Sequence, residues 1–128
     1  MIGYAMVGTN KLPQAHQFYD AVLAPLGLAQ VEVSQSYVGY AQKHTPDEIE
    51  FYVTEPYNQK MAVPGNGAMI AFKVNSRRTV DQFHTIGLRS GGTDEGAPGL
   101  RPADGSIYYA YVRDLDGNKL CAYCVDKV

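Results

Sequence analysis

Two cysteines near the C-terminal end are the first residues whose spacing could support chemistry. Cys121 and Cys124 are the only cysteines among 128 residues, and two residues separate them. At a helix N-terminus or in a knuckle loop, this spacing would indicate redox activity or zinc binding. Here they lie in an apolar run that predicts a β-strand, where side chains three residues apart point to opposite faces. We therefore expect two buried, reduced thiols that pack as small hydrophobic side chains.

Imidazole and carboxylate groups are the next candidates for acid–base or metal chemistry. His16 and His84 fall on predicted helices, where we expect a solvated and a half-buried packing residue respectively, and His44 falls in a loop. Of the three, His44 is the most open to a role, although a surface position is the more ordinary reading. Glu50 alternates with apolar neighbours, which is compatible with a cavity wall and equally with the wet face of an edge strand.

Tyrosines are abundant, with ten in the chain and no tryptophan. A phenol combines apolar area with one hydrogen-bonding group, which suits contact with a small planar or polar organic molecule. Tyrosine is also a favoured strand residue, so core packing or a dimer interface explains the same enrichment. The tyrosines on predicted strands are Tyr4, Tyr37, Tyr40, Tyr52, Tyr108, Tyr109, Tyr111 and Tyr123.

Length and charge limit the classes of protein to consider. A chain of 128 residues is the size of one domain with a real core. Net charge is −2 with no basic run, so we expect no nucleic-acid partner. The sequence has no long apolar run and no secretory leader, which predicts no membrane partner and a cytoplasmic location.

The elements that position these residues occur in two similar halves. In the first half, the apolar stripe of Ala15, Phe18, Tyr19 and Val22 predicts a helix that ends at Pro25. Sliding the chain by 65 residues brings Asn10 onto Asn75 and Phe18 onto Phe83, which predicts a second helix after a cap at 75–76. The predicted strands are 2–8, 29–33, 37–42 and 48–53 in the first half and 68–74, 107–112 and 120–125 in the second, with a short strand in the segment 93–105.

A β-hairpin completes the second half. Its turn contains Asp116-Gly117 between two apolar runs, which is a strong hairpin signal. An even loop would put Tyr108, Ala110 and Val112 on the face of Cys121, whereas an odd loop would put Tyr109, Tyr111 and Arg113 there. The second register would surround the thiol with phenols and a guanidinium suited to an anionic ligand. Sequence leaves both registers open, because a one-residue slip exchanges the faces.

Three segments together resemble a known superfamily. The segments Phe18-Tyr19-Asp20, Met69 to Phe72 and Asp114 to Asn118 are similar, in order and spacing, to the glyoxalase/bleomycin resistance protein/dioxygenase (vicinal oxygen chelate) superfamily. The resemblance implies an α+β fold of two gene-duplicated βαβββ modules, whose curved mixed sheets enclose a cavity that a homodimer commonly completes. On this basis, 1–128 is a single glyoxalase-like domain, with module one at about 1–54, a linker at about 55–67 and module two at about 68–128.

The resemblance also implies where a metal would bind. Metal-dependent members take ligands from the first and last strands of each module, and these positions fall here on Tyr4, Glu50, Met69 and Cys121. Glu50 and Cys121 become equivalent at a shift of 71 residues. Only Glu50 retains a ligand that a hard or borderline divalent ion prefers. We therefore expect no cofactor, and a divalent ion remains the alternative.

Three functions remain open at this stage. The first is a metal-free cavity that binds a small organic molecule, lined by Tyr4, Glu50, Met69, Tyr109, Tyr111, Arg113, Cys121 and Tyr123. The second is a metal-dependent lyase, isomerase or dioxygenase in which Glu50 would be the catalytic base. The third is a structural or regulatory dimer whose cavity is closed by side chains. The missing ligands favour the first and third over the second, and the tyrosines favour the first.

Overall fold

The structure, a computed structural model, describes residues 1–126 as two α-helices, one 3-10 helix (Ala24–Leu26) and eight strands. Each half has the order strand, helix and three strands. The first half contains β1 (Ala5–Gly8), α1 (Leu12–Leu23), β2 (Leu28–Val33), β3 (Tyr37–Gln42) and β4 (Phe51–Thr54). The second contains β5 (Ile70–Lys73), α2 (Arg77–Arg89), β6 (Thr93–Leu100), β7 (Ile107–Arg113) and β8 (Lys119–Val125).

Each half forms its own four-stranded mixed sheet. The strand orders are β1-β4-β3-β2 and β5-β8-β7-β6, and only β1/β4 and β5/β8 pair in parallel. Residues of β1 and β5 line the same two surface hollows, so the sheets meet along these strands without pairing. The expected α+β architecture of two βαβββ modules is confirmed, and the sheets are not closed around a cavity.

The starts of the elements confirm the slide of 65 residues. Both β1/β5 and α1/α2 begin that far apart, at Ala5 and Ile70 and at Leu12 and Arg77. The second equivalence was wrong by two residues. Met6 pairs with Tyr52 and Ala71 with Cys121, so Cys121 corresponds to Tyr52 rather than to Glu50. Hydrogen bonding to the parallel neighbour fixes this register, whereas matching the last strands by residue type does not.

One shared core binds the two halves together. The predicted stripe on α1 is buried, and α2 is capped by Ser76, whose Oγ accepts a hydrogen bond from the Thr79 N–H at 3.2 Å. The rings of Phe51 and Phe72, from different sheets, meet in an edge-to-face arrangement with centroids 5.4 Å apart. Each sheet thus has one face covered by the helices and a second, which we call the open face, that carries Met6, Tyr52, Tyr111 and Cys121.

The turn between β7 and β8 ties the second half to the end of β1. Asp116 accepts hydrogen bonds from the Thr9 hydroxyl at 2.6 Å and from the Asn10 N–H at 2.8 Å. Asn118 Nδ2 donates to the Gly8 carbonyl at 2.9 Å. We call these three bonds the turn clasp. They fix the hairpin, and therefore the residues on its open face, relative to the first half.

Several strand boundaries differ from the predicted ones. The strand β4 begins at Phe51, so Glu50 directly precedes it, and β6 runs for eight residues instead of forming a short strand. β4 lies inside its sheet between β1 and β3. The edge-strand interpretation of Glu50 was therefore wrong, although its side chain is exposed. Among residues 1–126, neither helix is long and apolar enough to cross a membrane.

Candidate functional site

The hairpin adopts the odd register. Five residues, Asp114–Asn118, separate β7 from β8, and Gly117 takes the positive φ of 87° that such a turn requires. Tyr111 pairs with Cys121 and Tyr109 pairs with Tyr123. Tyr109, Tyr111 and Arg113 therefore share the open face with Cys121, while Val112 and Ala110 are buried in the core.

Three tyrosines form a continuous aromatic surface on this face. The rings of Tyr109 and Tyr111 stack with centroids 5.9 Å apart and an interplanar angle of 13°. Tyr123 packs against Tyr109 at 5.7 Å. All three residues remain partly exposed, so part of this aromatic surface is accessible to a planar molecule.

The two thiols are buried on opposite sides of β8. Cys124 belongs to the core under the helices, and Cys121 lies 1% exposed beneath the open face. Burial raises the pKa of the Cys121 thiol to about 11, and the positive charges of Arg101 and Lys119 oppose this rise. The expectation of two buried, reduced cysteines on opposite faces is confirmed.

Tyr4 and Glu50 lie together at one end of the line where the sheets meet. Both line a hollow of about 320 Å³ with Lys73 and Gln42 above an apolar floor. The Tyr4 ring packs edge-to-face on Tyr52, with centroids 4.9 Å apart. This end of the open face thus combines aromatic rings with an exposed carboxylate.

Met69 and Cys121 lie elsewhere. Met69 lines a second hollow of about 400 Å³ at the opposite end of the β1/β5 line, together with Met6 and Lys119. Cys121 lines neither hollow. The four positions inferred from the resemblance therefore separate into one pair and two isolated residues, and their role in ligand binding stays a prediction.

The donor set on the open face does not fit a divalent ion. At the paired ends of the strands the side chains are two phenols, two thioethers, a carboxylate, an ammonium and a thiol, from Tyr4, Met6, Glu50, Tyr52, Met69, Lys119 and Cys121. Within residues 1–126 no three His, Cys, Asp or Glu side chains come together as a metal site. One carboxylate cannot supply the imidazole and oxygen ligands that such ions prefer.

The histidines are engaged in other contacts. His84 is 9% exposed and its Nε2 lies 2.9 Å from Asp94 Oδ1, which holds the pKa of that carboxyl below its usual value. His16 Nε2 lies 3.2 Å from Asp20 Oδ2 and also contacts Gln30, so it is more involved in local bonding than a purely solvated residue. His44 is exposed in its loop.

Two cations on the open face escaped prediction. The Arg101 guanidinium and the Lys119 ammonium lie 5.1 and 5.3 Å from the centroid of the Tyr111 ring. Lys119 could have been found, because it precedes Cys121 by two residues and must share its face. Arg101 had no such signal, because it follows a strand whose register shifts twice, on either side of Gly96.

Comparisons with known proteins place the chain among structures of one superfamily. A glyoxalase/bleomycin resistance protein from Albidiferax ferrireducens is 38% identical, with 97% of this chain and 98% of that chain covered and a TM-score of 0.86. A family enzyme from Burkholderia phytofirmans is 18% identical over 96% of this chain and 97% of that chain, with a TM-score of 0.71. A fosfomycin resistance protein from Listeria monocytogenes is 14% identical over 97% and 92%, with a TM-score of 0.68. No protein-family model and no curated protein matches the sequence.

Proposed function

The chain belongs to the glyoxalase/bleomycin resistance/dioxygenase superfamily, and on that premise we propose that it binds a small, planar organic molecule on its open face without a metal ion. The observation that carries the proposal is the stack of Tyr109 and Tyr111 beside Tyr123, partly exposed and accompanied by few metal-ligand side chains. Aromatic rings held in place by a sheet contribute contact area at low entropic cost to the binding of a flat ligand.

Metal-dependent chemistry receives little support from the same surface. In a metal-dependent reaction Glu50 would be the candidate base, and the positions that would supply further metal ligands carry Tyr4, Met69 and Cys121. The buried thiol, with its pKa raised to about 11, is a poor donor at neutral pH. Removing metal should therefore leave ligand binding unchanged.

A planar, uncharged probe tests the proposal directly. We expect 2-naphthamide to bind the protein, and the fluorescence anisotropy of the probe measures this binding. Tyr109→Leu should weaken the binding by about two- to tenfold, since an aromatic pair is worth about 0.5–1.5 kcal/mol. Tyr57→Leu is the matched control, because Tyr57 is fully exposed in the segment between the halves. Equal binding by the Tyr109→Leu protein would contradict the assignment of the face.

Metal analysis tests whether the protein binds a divalent ion. Protein purified without chelator is analysed for metal and then titrated with Ni²⁺, Zn²⁺, Mn²⁺ and Fe²⁺. We expect no stoichiometric binding. One tightly bound ion per chain, lost on Glu50→Gln, would favour the metal-dependent alternative instead.

We also propose that two chains pair as a homodimer through Tyr4, Met6 and Met69, along the line where the two sheets meet, so that the tyrosine stack of the second sheet stays accessible to a ligand. Tyr4, Met6 and Met69 are 57%, 49% and 44% exposed there, a group of large apolar side chains that pairing would bury. Residues 1–54 carry five acidic and two basic side chains, whereas 68–128 carry eight basic and seven acidic ones, so opposite halves attract.

Light scattering after size exclusion checks the dimer. We expect twice the chain mass for the wild type and the chain mass for Met6→Glu, which places a charge in the interface. Leu88→Glu, on the exposed side of α2, is the control and should remain dimeric. A monomeric wild type at micromolar concentration would contradict the proposal.

A further inference from the structure

Two positive charges converge on one aromatic ring of the open face. Arg101 and Lys119 both lie over Tyr111, at 5.1 and 5.3 Å from its centroid. Neither makes a salt bridge with any carboxylate of residues 1–126. By contrast, Arg113 on the same face is neutralised by Glu95 at 2.6 Å. Arg101 and Lys119 therefore have no salt-bridge partner among these residues, and Asp94, whose pKa is lowered by His84 first and by Arg101 to a smaller degree, is itself hydrogen-bonded to His84.

The Arg101 side chain is held in place by neutral acceptors. Its Nη1 donates to the carbonyls of Gly99 at 3.2 Å and Tyr109 at 2.9 Å, and its Nη2 donates to the Ala97 carbonyl at 2.7 Å. Carbonyl acceptors orient the guanidinium and leave its net charge in place. A cation fixed in this way needs little reorganisation to receive an anion.

A glycine leaves the space that this arrangement requires. A Cβ on Gly96 would lie 2.8 Å from Tyr111 Cδ2 and 3.0 Å from Arg101 Nη2. Gly96 has no positive φ, so its lack of a side chain serves packing rather than backbone conformation. The irregular β6 strand thus lets Arg101 lie against the ring.

The surroundings supply a flat apolar surface next to the charges. Tyr109 stacks on Tyr111, and Lys119 also borders the hollow of about 400 Å³ that contains Met6 and Met69. The two cations both act on the buried Cys121 thiol, lowering its pKa against the effect of burial, so their fields overlap beneath the ring. Stacked rings beside two cations match a molecule that is both planar and negatively charged.

We propose that Arg101, Tyr109, Tyr111 and Lys119 form a binding site for a planar organic anion, such as an aromatic carboxylate. Its charged group lies between the guanidinium and the ammonium, and its ring stacks on the tyrosines. This inference rests on the proposed binding of a small organic molecule to the open face and adds the charge of that molecule.

Paired probes of equal shape separate charge from stacking. We expect 2-naphthoate to bind the wild-type protein several-fold more tightly than the uncharged 2-naphthamide, and more weakly as salt concentration rises. In Lys119→Gln, naphthoate affinity should fall about fivefold, since an exposed ion pair contributes up to about 1 kcal/mol, while amide affinity stays the same. Lys119→Arg should restore naphthoate binding.

A lysine outside the site provides the control. Lys60→Gln removes the same charge from an exposed position between the halves and should leave both affinities unchanged. Equal affinity for the two probes, or a Lys119→Gln protein that binds naphthoate as tightly as the wild type, would overturn the anion site while leaving open-face binding intact. Failure of both probes to bind would contradict the proposed function and this site together.

Discussion

At the residue scale, the buried hydroxyl of Tyr19 links the first helix to the hairpin turn. It donates a 2.5 Å hydrogen bond to Asp114 Oδ2, and Asp114 also accepts from Asn118 Nδ2 at 2.8 Å. Burial and the neighbouring carboxylate raise the pKa of Tyr19 well above its usual value. The phenol thus stays protonated and continues to donate across the neutral range.

Removing that hydroxyl should destabilise the fold. In Tyr19→Phe the Asp114 carboxylate loses a donor inside the core, and we expect the free energy of unfolding to fall by about 1–3 kcal/mol. Urea denaturation followed by circular dichroism measures the change. Tyr57→Phe, on a fully exposed ring, is the control and should shift the midpoint very little.

The Cys121 thiol gives a prediction about reactivity and pH. Its pKa of about 11 exceeds the usual 9.0, so the folded protein keeps a proton that the unfolded chain loses between these values. Stability should therefore fall as pH rises through this window, since the folded state then binds more protons than the unfolded state. At pH 8 we expect the native protein not to react with a thiol reagent. In denaturant, both cysteines should react. Rapid native reaction would contradict this burial.

Alternation of side chains along a strand predicts which face a residue lies on, but not which distant side chains it contacts. The opposite faces of Cys121 and Cys124 follow from spacing alone, because a strand reverses its side chains at every residue. The contact between Arg101 and Tyr111 does not, because it depends on the path of an irregular strand and on three backbone carbonyls. Local pattern carries no information on where such a side chain ends in space.

At the element scale, turn length decided the composition of the candidate site. The five-residue turn puts two tyrosines and an arginine beside Cys121, and a loop with one residue more or fewer would have turned them into the core. Sequence identified the hairpin from Asp116-Gly117 but could not choose between these registers. The same limit explains the two-residue error in pairing Glu50 with Cys121, since pairing across a sheet is a long-range property.

Two glycines of β6 provide a matched test of how this element shapes the site. In Gly96→Ala the new Cβ would meet Tyr111 and Arg101, whereas at Gly99 a Cβ would meet nothing within 4 Å. We expect Gly96→Ala to cost about 1–3 kcal/mol of stability through overpacking and to weaken 2-naphthoate binding. Gly99→Ala should change both by little. Thermal unfolding and anisotropy titrations check this, and equal behaviour of the two variants would contradict the packing argument.

At the scale of the whole molecule, the two halves keep one plan but have diverged in charge. Equivalent positions before β1 and β5 carry Tyr4 and Met69, and the residues facing them are Glu50 and Lys119. One end of the line between the sheets therefore combines aromatic rings with a carboxylate and with Lys73, and the other combines thioethers with the Lys119 ammonium. The repeat of the two halves could be predicted from the sequence, because the order of elements repeats. The difference in charge could not, because it depends on which residues pair between the strands.

The turn clasp and the shared core both join the two halves. Asp116 accepts from Thr9 and Asn10 across the boundary, and the shared core continues from Phe51 to Phe72. We expect Asp116→Ala to lower the free energy of unfolding by about 1–3 kcal/mol, because two donors lose their partner.

Unfolding of this variant should remain a single transition, since the core still joins the sheets. Far-ultraviolet circular dichroism and tyrosine fluorescence, recorded through one urea titration, should give coincident curves for Asp116→Ala and for the wild type. Asp47→Ala, on an exposed loop, is the control and should match the wild type in midpoint. Separate transitions in the wild type would show that the halves unfold independently, and an unchanged midpoint in Asp116→Ala would show that the clasp contributes nothing to stability.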